Sequence, residues 1–281
     1  MNIPNLEKII KNALAEDIGG GDITTLAVVS NLLPGTGEFF IKQNGIIAGL
    51  EILDVLFKVA DPDLIFVKCI EDGCHVNYGQ VAARVTGKAA SMLSLERTAL
   101  NFLQRMSGIA TITGIFVEKI KHTKAKILDT RKTVPGLREI DKLAVNIGGG
   151  TNHRIGLYDM FLIKDNHIAV AGSITKAVQA CKEFKLQKNI SSRIEVEVTN
   201  IEELKEALYC SPDFIMLDNF QLGEMKNAVK LINGKCLTEA SGGIDLNNVK
   251  EIAETGVDFI SVGALTHSVK ALDISFEMKT R

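Results

Sequence analysis

Six apolar runs in the second half of the chain, AKILDTRK, DMFLIKDNH, RIEVEVTN, DFIMLDN, KCLTEASGG and VDFISVGALTH, each stop on a polar or charged residue and give way to a segment with helical spacing. Unbroken Val, Ile and Leu stretches mark strands buried on both faces. Repeated alternation of strand and helix specifies a parallel sheet flanked by helices. In closed folds of this kind the ligand sits at the carboxyl ends of the strands. Thr130, Arg131, Lys132, Lys164, Asp165, Asn166, Glu197, Asp218, Glu239 and Ser241 are therefore expected to face one mouth. Charge placed against an apolar core is costly unless compensated, so such a ring requires mutual pairing or a charged ligand.

Six strands fall short of the eight of a complete barrel. The expected fold is an incomplete α/β barrel whose gap the amino-terminal region or a second subunit covers, with an open doubly wound sheet as the alternative. Upstream the pattern differs. Leu6, Ile9, Ile10, Ala13 and Leu14 recur at helical spacing before three glycines, Gly19 to Gly21. Short strands (EFFIKQ, LIFVKCI, VAARVTGKA) then surround a helix near 50–59, and a longer helix is expected over 91–108, ended by Ser107 and Gly108. DGCHVNYGQVAARVTG has the glycine and valine spacing of a lipoyl or biotinyl hammerhead, but no lysine stands at a hairpin tip, which argues against a carrier role.

A formal net charge of −2 over 281 residues gives no global attraction to nucleic acid or an anionic membrane, so any anion site must be local. The five cysteines are odd in number and lack a CxxC pair or metal-ligand spacing. They indicate neither a disulfide framework nor structural zinc, and they suit a reducing cytoplasm. The first residues lack the pattern of a signal peptide, and no apolar run approaches membrane-spanning length.

The basic residues are dense around the strand ends. Arg131 and Lys132 end one strand, His153 and Arg154 follow a glycine turn, and Lys164 ends the next strand. Arginine binds carboxylate or phosphate as a planar fork and lysine acts as a mobile point charge, so a site using both should hold a polyanion. Glu197 and Asp218 end two further strands. Carboxylates there would hold magnesium beside a substrate phosphate, stabilise a developing cation, or pair with the lysines. Glu195 alternates with Glu197, and either could be the functional one. The segments at Ser241, Gly242, Gly243 and at Val262, Gly263, Ala264, the latter followed by His267, have the composition of paired phosphate loops. Arg97 lies within the stripe of Leu93 and Leu100 on the long helix, where it either snorkels to water or points into a site or across a subunit interface.

DTRKTVPGLR, GGGTNHRIGLYD, LIKDNHI, EVEV, IMLDN, SGGI and VGALTHS, with ALAEDIGGGDIT and SLERTALNFLQRMSGIAT upstream, resemble in order the quinolinate phosphoribosyltransferases, also called nicotinate-nucleotide pyrophosphorylases (carboxylating). The resemblance covers nearly the whole chain. It implies an N-terminal α/β sandwich domain over 1–108, an incomplete, about seven-stranded TIM-like α/β barrel over 109–268, and a C-terminal segment over 269–281 packing on the first domain. The implied reaction moves phosphoribosyl from 5-phosphoribosyl 1-pyrophosphate to quinolinate with decarboxylation, giving nicotinate mononucleotide, pyrophosphate and CO2 in NAD biosynthesis. Mg2+ is the implied cofactor, and the implied assembly is a cytoplasmic homodimer or higher oligomer.

By the same resemblance, Arg131, His153, Arg154 and an Arg97 supplied by the neighbouring subunit grip the carboxylates of quinolinate. Thr130, Lys132 and Lys164 serve the anionic substrates, Glu197 and Asp218 the ribose and the metal (which substrate phosphates also hold), and Ser241, Gly242, Gly263 and His267 the phosphates. Lys132, Lys164, Glu197 and Asp218 form the implied catalytic set. Three rivals remain at this level: a relative of the same fold with another substrate, a Schiff-base aldolase on Lys164, and a phosphometabolite-binding protein without catalysis. The first has to account for three side chains suited to a dicarboxylate, and the last leaves Glu197 and Asp218 without a task.

Overall fold

The computed structural model describes residues 3–30 and 33–280. Its strands are β1 (Pro34–Ile41), β2 (Gly45–Ile46), β3 (Ile65–Lys68), β4 (His75–Val76), β5 (Val81–Lys88), β6 (Lys126–Leu128), β7 (Phe161–Ile163), β8 (Ile194–Val198), β9 (Phe214–Asp218), β10 (Leu237–Ser241), β11 (Phe259–Ser261) and β12 (Ile274–Thr280). They fall into two compact units, one of Met1–Gly114, Thr133–Gly149 and Leu265–Arg281, the other of Ile115–Lys132 and Gly150–Ala264.

The first unit is built on an antiparallel sheet in the order β12-β1-β5-β3. Phe39 and Ile41 alternate onto its buried face, and the Phe39 ring lies 6.3 Å from Phe57 of helix Leu50–Ala60 and 4.8 Å from Phe276 of β12. That helix follows Gly49, which sits at φ 111° and offers no side-chain cap. Instead Asp72, from a separate loop, accepts from the Leu50 and Glu51 amides at 3.0 and 3.2 Å, satisfying donors that a helix start leaves open. Within the stretch with hammerhead spacing, β4 pairs with β2 and β5 joins the four-stranded sheet.

The long helix departs from the sequence expectation, because it spans Ala89–Ile120 and does not stop at Ser107 and Gly108. Both residues serve packing there. A Cβ on Gly108 would lie 2.3 Å from the Lys270 carbonyl oxygen and 3.1 Å from Ala271 Cα. Buried Ser107 donates to the Ala48 carbonyl and accepts from the Ala48 amide. Arg105, one turn earlier, forms a bidentate pair at 2.8 and 2.7 Å with Asp141, which is fully buried on helix Arg138–Ile147. This pair ties Thr133–Gly149 to the first unit, although the segment follows β6 in sequence.

In the second unit the order β6-β11-β10-β9-β8-β7 is parallel throughout. Neighbours in sequence are neighbours in space, and the last strand, β11, returns to pair with the first, β6, which is how a sheet closes into a barrel. The ring is interrupted between β6 and β7. On the β6 side Thr151 forms a lone parallel bridge to Leu128, so the additional strand implied by the family resemblance is reduced to one residue. The residues after it, Asn152, His153 and Arg154, are polar. No helix among the described residues is long and apolar enough to cross a membrane.

Gly108→Ala should lower stability by about 1–3 kcal/mol, because the added methyl meets backbone that cannot yield as a flexible side chain would. Urea denaturation measures this, and an unchanged midpoint would contradict the packing role of Gly108.

Candidate active site

Parallel register brings the strand-end residues to a common level. Asp218 is the register partner of Ser241, and Ile163 that of Val196, which sets Lys164 alongside Glu197. Lys164 Nζ donates to Glu197 Oε2, with the Glu197 side chain 11% exposed at the rim. Asp218 accepts from Asn219 Nδ2 at 2.7 Å, and the Asn219 amide donates to the Ser241 carbonyl at 2.9 Å. Gly242 lies at φ 96°, and a Cβ there would come 2.2 Å from Asn219 Oδ1. Only glycine lets this loop close on Asn219.

Thr130 Oγ1 accepts from the Lys132 amide at 3.0 Å, fixing the turn after β6 on which Arg131 and Lys132 are exposed. Arg154 is buried, and its Nη1 donates to the Met160 carbonyl at 3.0 Å. Burial lowers the pKa of this guanidinium, and the positive charge of Arg131 lowers it further. The charges of Glu195 and Asp159 act in the other direction on Arg154, and two guanidiniums beside the end of one apolar strand mark a place suited to an anion.

His153 points the other way. Its side chain is 8% exposed, and Nε2 lies 3.0 Å from Glu195 Oε2 and 3.4 Å from Glu239 Oε2. Nδ1 accepts the Arg154 amide at 2.7 Å. The His153 ring thus faces the barrel interior, and its two nitrogens are engaged there. Glu195 and Glu197 share a face but differ in depth: Glu195 is fully buried with His153, and Glu197 lies nearer the mouth. Burial lowers the His153 pKa, and its bonds to Glu195 and Glu239 and their charges raise it; the Arg154 amide at Nδ1 selects the neutral ring, because only a ring whose proton sits on Nε2, towards Glu195, can accept there. Burial and then the charge of Glu239 raise Glu195 to about 7. Glu195 Oε1 is buried with no hydrogen-bond partner among the described residues, an environment that disfavours an ionised carboxylate.

The second unit thus assembles Thr130, Arg131, Lys132, His153, Arg154, Lys164, Glu197, Asp218, Ser241, Gly242 and Gly263. Arg97 and His267 belong to the first unit; both are exposed, and His267 Nδ1 lies 2.6 Å from Ser268 Oγ. Three neighbours escaped the sequence reading: Asp129, which accepts from the His153 amide at 2.9 Å; Ser261, which donates to Glu239 at 2.5 Å; and Asn219. A strand-final Asp followed by Asn was the available signal for Asn219, since Asn tolerates the φ of 57° found there. Among the described residues, the group of His, Cys, Asp or Glu that brings three ligand atoms within 4.8 Å of one another is His153, Glu195 and Glu239; the expected pair, Glu197 and Asp218, forms no such triple. Two cavities of about 430 and 350 Å³ open at the opposite, amino-terminal ends of the strands, beside Ile194, Asp213 and Leu237.

Comparison with known proteins places this architecture among relatives. Residues 109–277 match the model of the quinolinate phosphoribosyl transferase C-terminal domain, and residues 22–107 that of the N-terminal domain. The chain is 46% identical to the chloroplastic nicotinate-nucleotide pyrophosphorylase [carboxylating] of Arabidopsis thaliana, over 98% of this chain and 83% of the relative. It is 43% identical to the probable nicotinate-nucleotide pyrophosphorylase [carboxylating] of Bacillus subtilis, over 99% and 95%. The solved nicotinate-nucleotide pyrophosphorylase of Francisella tularensis superposes with a TM-score of 0.93 at 40% identity, over 99% of this chain and 98% of that one.

Proposed function

The chain belongs to the quinolinate phosphoribosyltransferase family, and we propose that the guanidiniums of Arg131 and Arg154 are its receptor for the carboxylates of quinolinate. The enzyme transfers phosphoribosyl to quinolinate with decarboxylation, forming nicotinate mononucleotide in NAD biosynthesis. The observation that carries the receptor assignment is position: Arg131 leaves the carboxyl end of β6, and buried Arg154, held by the Met160 carbonyl, follows the Thr151 bridge beside the same strand, so two guanidiniums are delivered to one place suited to a dianion. Ring orientation gives His153 an indirect part, since its nitrogens serve the barrel interior. Lys132 and Lys164 supply mobile positive charge for the phosphoribosyl pyrophosphate, with Thr130, Ser241, Gly242 and Gly263 as its phosphate contacts.

Departure of pyrophosphate leaves oxocarbenium character at the ribose C1, which the carboxylates of Glu197 and Asp218 stabilise while the lysines offset charge on the leaving group. The ring nitrogen attacks C1 and becomes positively charged. As the 2-carboxylate leaves as CO2, its bonding electrons remain at C2 beside that cation, and a proton taken up at C2 completes the mononucleotide. Positioning and desolvation suffice for this step.

Magnesium fits the donor set: Lys164 engages one oxygen of Glu197 and Asn219 one of Asp218, and the other oxygen of each remains as a hard donor. When bound, the ion supplies neutralising charge for pyrophosphate, which itself provides further oxygen ligands. The enzyme is a homodimer or higher oligomer in this reading, with Arg97 lent to a neighbouring subunit. Exposed Arg97 and the apolar residues Ile23, Leu26 and Val28, exposed at 82%, 66% and 75%, support it. Five unpaired cysteines support a reducing compartment, the cytoplasm.

Lys132→Ala and Glu197→Ala should each lower turnover by about two to three orders of magnitude with the fold intact, and near-normal turnover would remove that residue from the mechanism. Mixing Arg97→Ala with Lys132→Ala subunits should restore activity if sites are shared between chains. No recovery despite demonstrated subunit exchange would refute sharing.

A further inference from the structure

Between the Thr151 bridge and the start of β7 at Phe161 no strand ladder holds the chain, yet this stretch carries Arg154. Side chains replace the ladder. The His153 amide donates to Asp129 Oδ1 after β6 at 2.9 Å. The imidazole reaches Glu195 of β8 at 3.0 Å and Glu239 of β10 at 3.4 Å, and Ser261 of β11 holds the other Glu239 oxygen. On its far side the same ring accepts the Arg154 amide at 2.7 Å. Three strands and the end of a fourth therefore converge, through one imidazole, on the peptide bearing Arg154.

We propose that Glu195 and Glu239 are positioning residues for quinolinate recognition: they hold His153 as a brace across the barrel, and the brace fixes the peptide from which Arg154 reaches the substrate. The proposal rests on the reading of Arg154 as a carboxylate ligand. Two buried carboxylates are a costly way to fill a core that apolar side chains could fill, and the geometry shows what they hold in place. The same three residues approach like metal ligands. However, the Arg154 amide donates into Nδ1, so the ring proton lies on Nε2, where a cation would have to bind.

Quinolinate binding measured by calorimetry, together with KM for phosphoribosyl pyrophosphate, tests the brace. Glu195→Ala and Glu239→Ala should weaken quinolinate about tenfold, leave KM for the pyrophosphate donor within about twofold, and be largely rescued by Glu195→Gln and Glu239→Gln. In a double-mutant cycle, Glu195→Ala should add little to the loss caused by Arg154→Lys. Because an alanine at either site leaves a cavity that can cost the fold, Ser261→Ala is a second probe; it loosens Glu239 and should weaken quinolinate about threefold without affecting the donor. Wild-type quinolinate affinity in the folded alanine variants or in Ser261→Ala overturns the brace alone, as do equal losses for both substrates or full additivity with Arg154→Lys. A wild-type enzyme that binds quinolinate with an affinity insensitive to Arg154→Lys overturns the Arg154 reading, and the brace with it.

Discussion

Carboxylates buried in the wall of the interrupted barrel must be compensated where they stand, and that requirement governs which side chains surround them. The strands that form the barrel wall carry fully buried Glu195 and Glu239 in their interior and Glu197 and Asp218 nearer their carboxyl ends. Each is met by a partner set by strand register or by the chain crossing the gap: Lys164 for Glu197, His153 for Glu195 and Glu239, Asn219 for Asp218. Burial and the charge of Arg131 lower the pKa of Arg154, and the carboxylates of Glu195 and Asp159 act against them. Arg131, Lys132, Arg154 and Lys164 stand among these carboxylates in the same unit, although the overall formal charge of the chain is −2.

All six barrel strands were legible in the sequence because burial on both faces writes each one as an unbroken apolar run ending on a polar residue. The interruption was harder to read. One residue, Thr151, carries the bridge next to β6, and a single bridge has no periodicity. Gly108 looked like a helix stop because glycine ends helices and also permits close approach; only the Lys270 carbonyl above it distinguishes the two. His153 was assigned to the substrate carboxylates by the family resemblance alone, and the sequence could not show which groups its ring nitrogens meet. Ring orientation depends on Glu195 and Glu239, which are far away in sequence. Ser261 gave no signal, being one small residue in an apolar run.

The depth difference between Glu195 and Glu197 shows how two chemically identical side chains on one strand face acquire different tasks. Glu197 is near enough to the rim to meet a mobile lysine and a substrate, and Glu195 meets an imidazole and another carboxyl group in a dry interior. The glycine at 242, which brings its loop against Asn219, places small-residue backbone beside Asp218. Cationic, anionic and backbone groups of the site are thereby delivered by separate strands to one end of the barrel, as expected where loops carry chemistry and the wall carries stability.

Substrate discrimination reads out whether the mouth is built for a dicarboxylate. The purified protein, given phosphoribosyl pyrophosphate, magnesium and either quinolinate or nicotinate, should release pyrophosphate and form nicotinate mononucleotide with quinolinate far faster than with nicotinate, because only the dicarboxylate engages both arginines. Equal rates with the two acids, or turnover with nicotinate alone, would contradict a mouth built around a dicarboxylate.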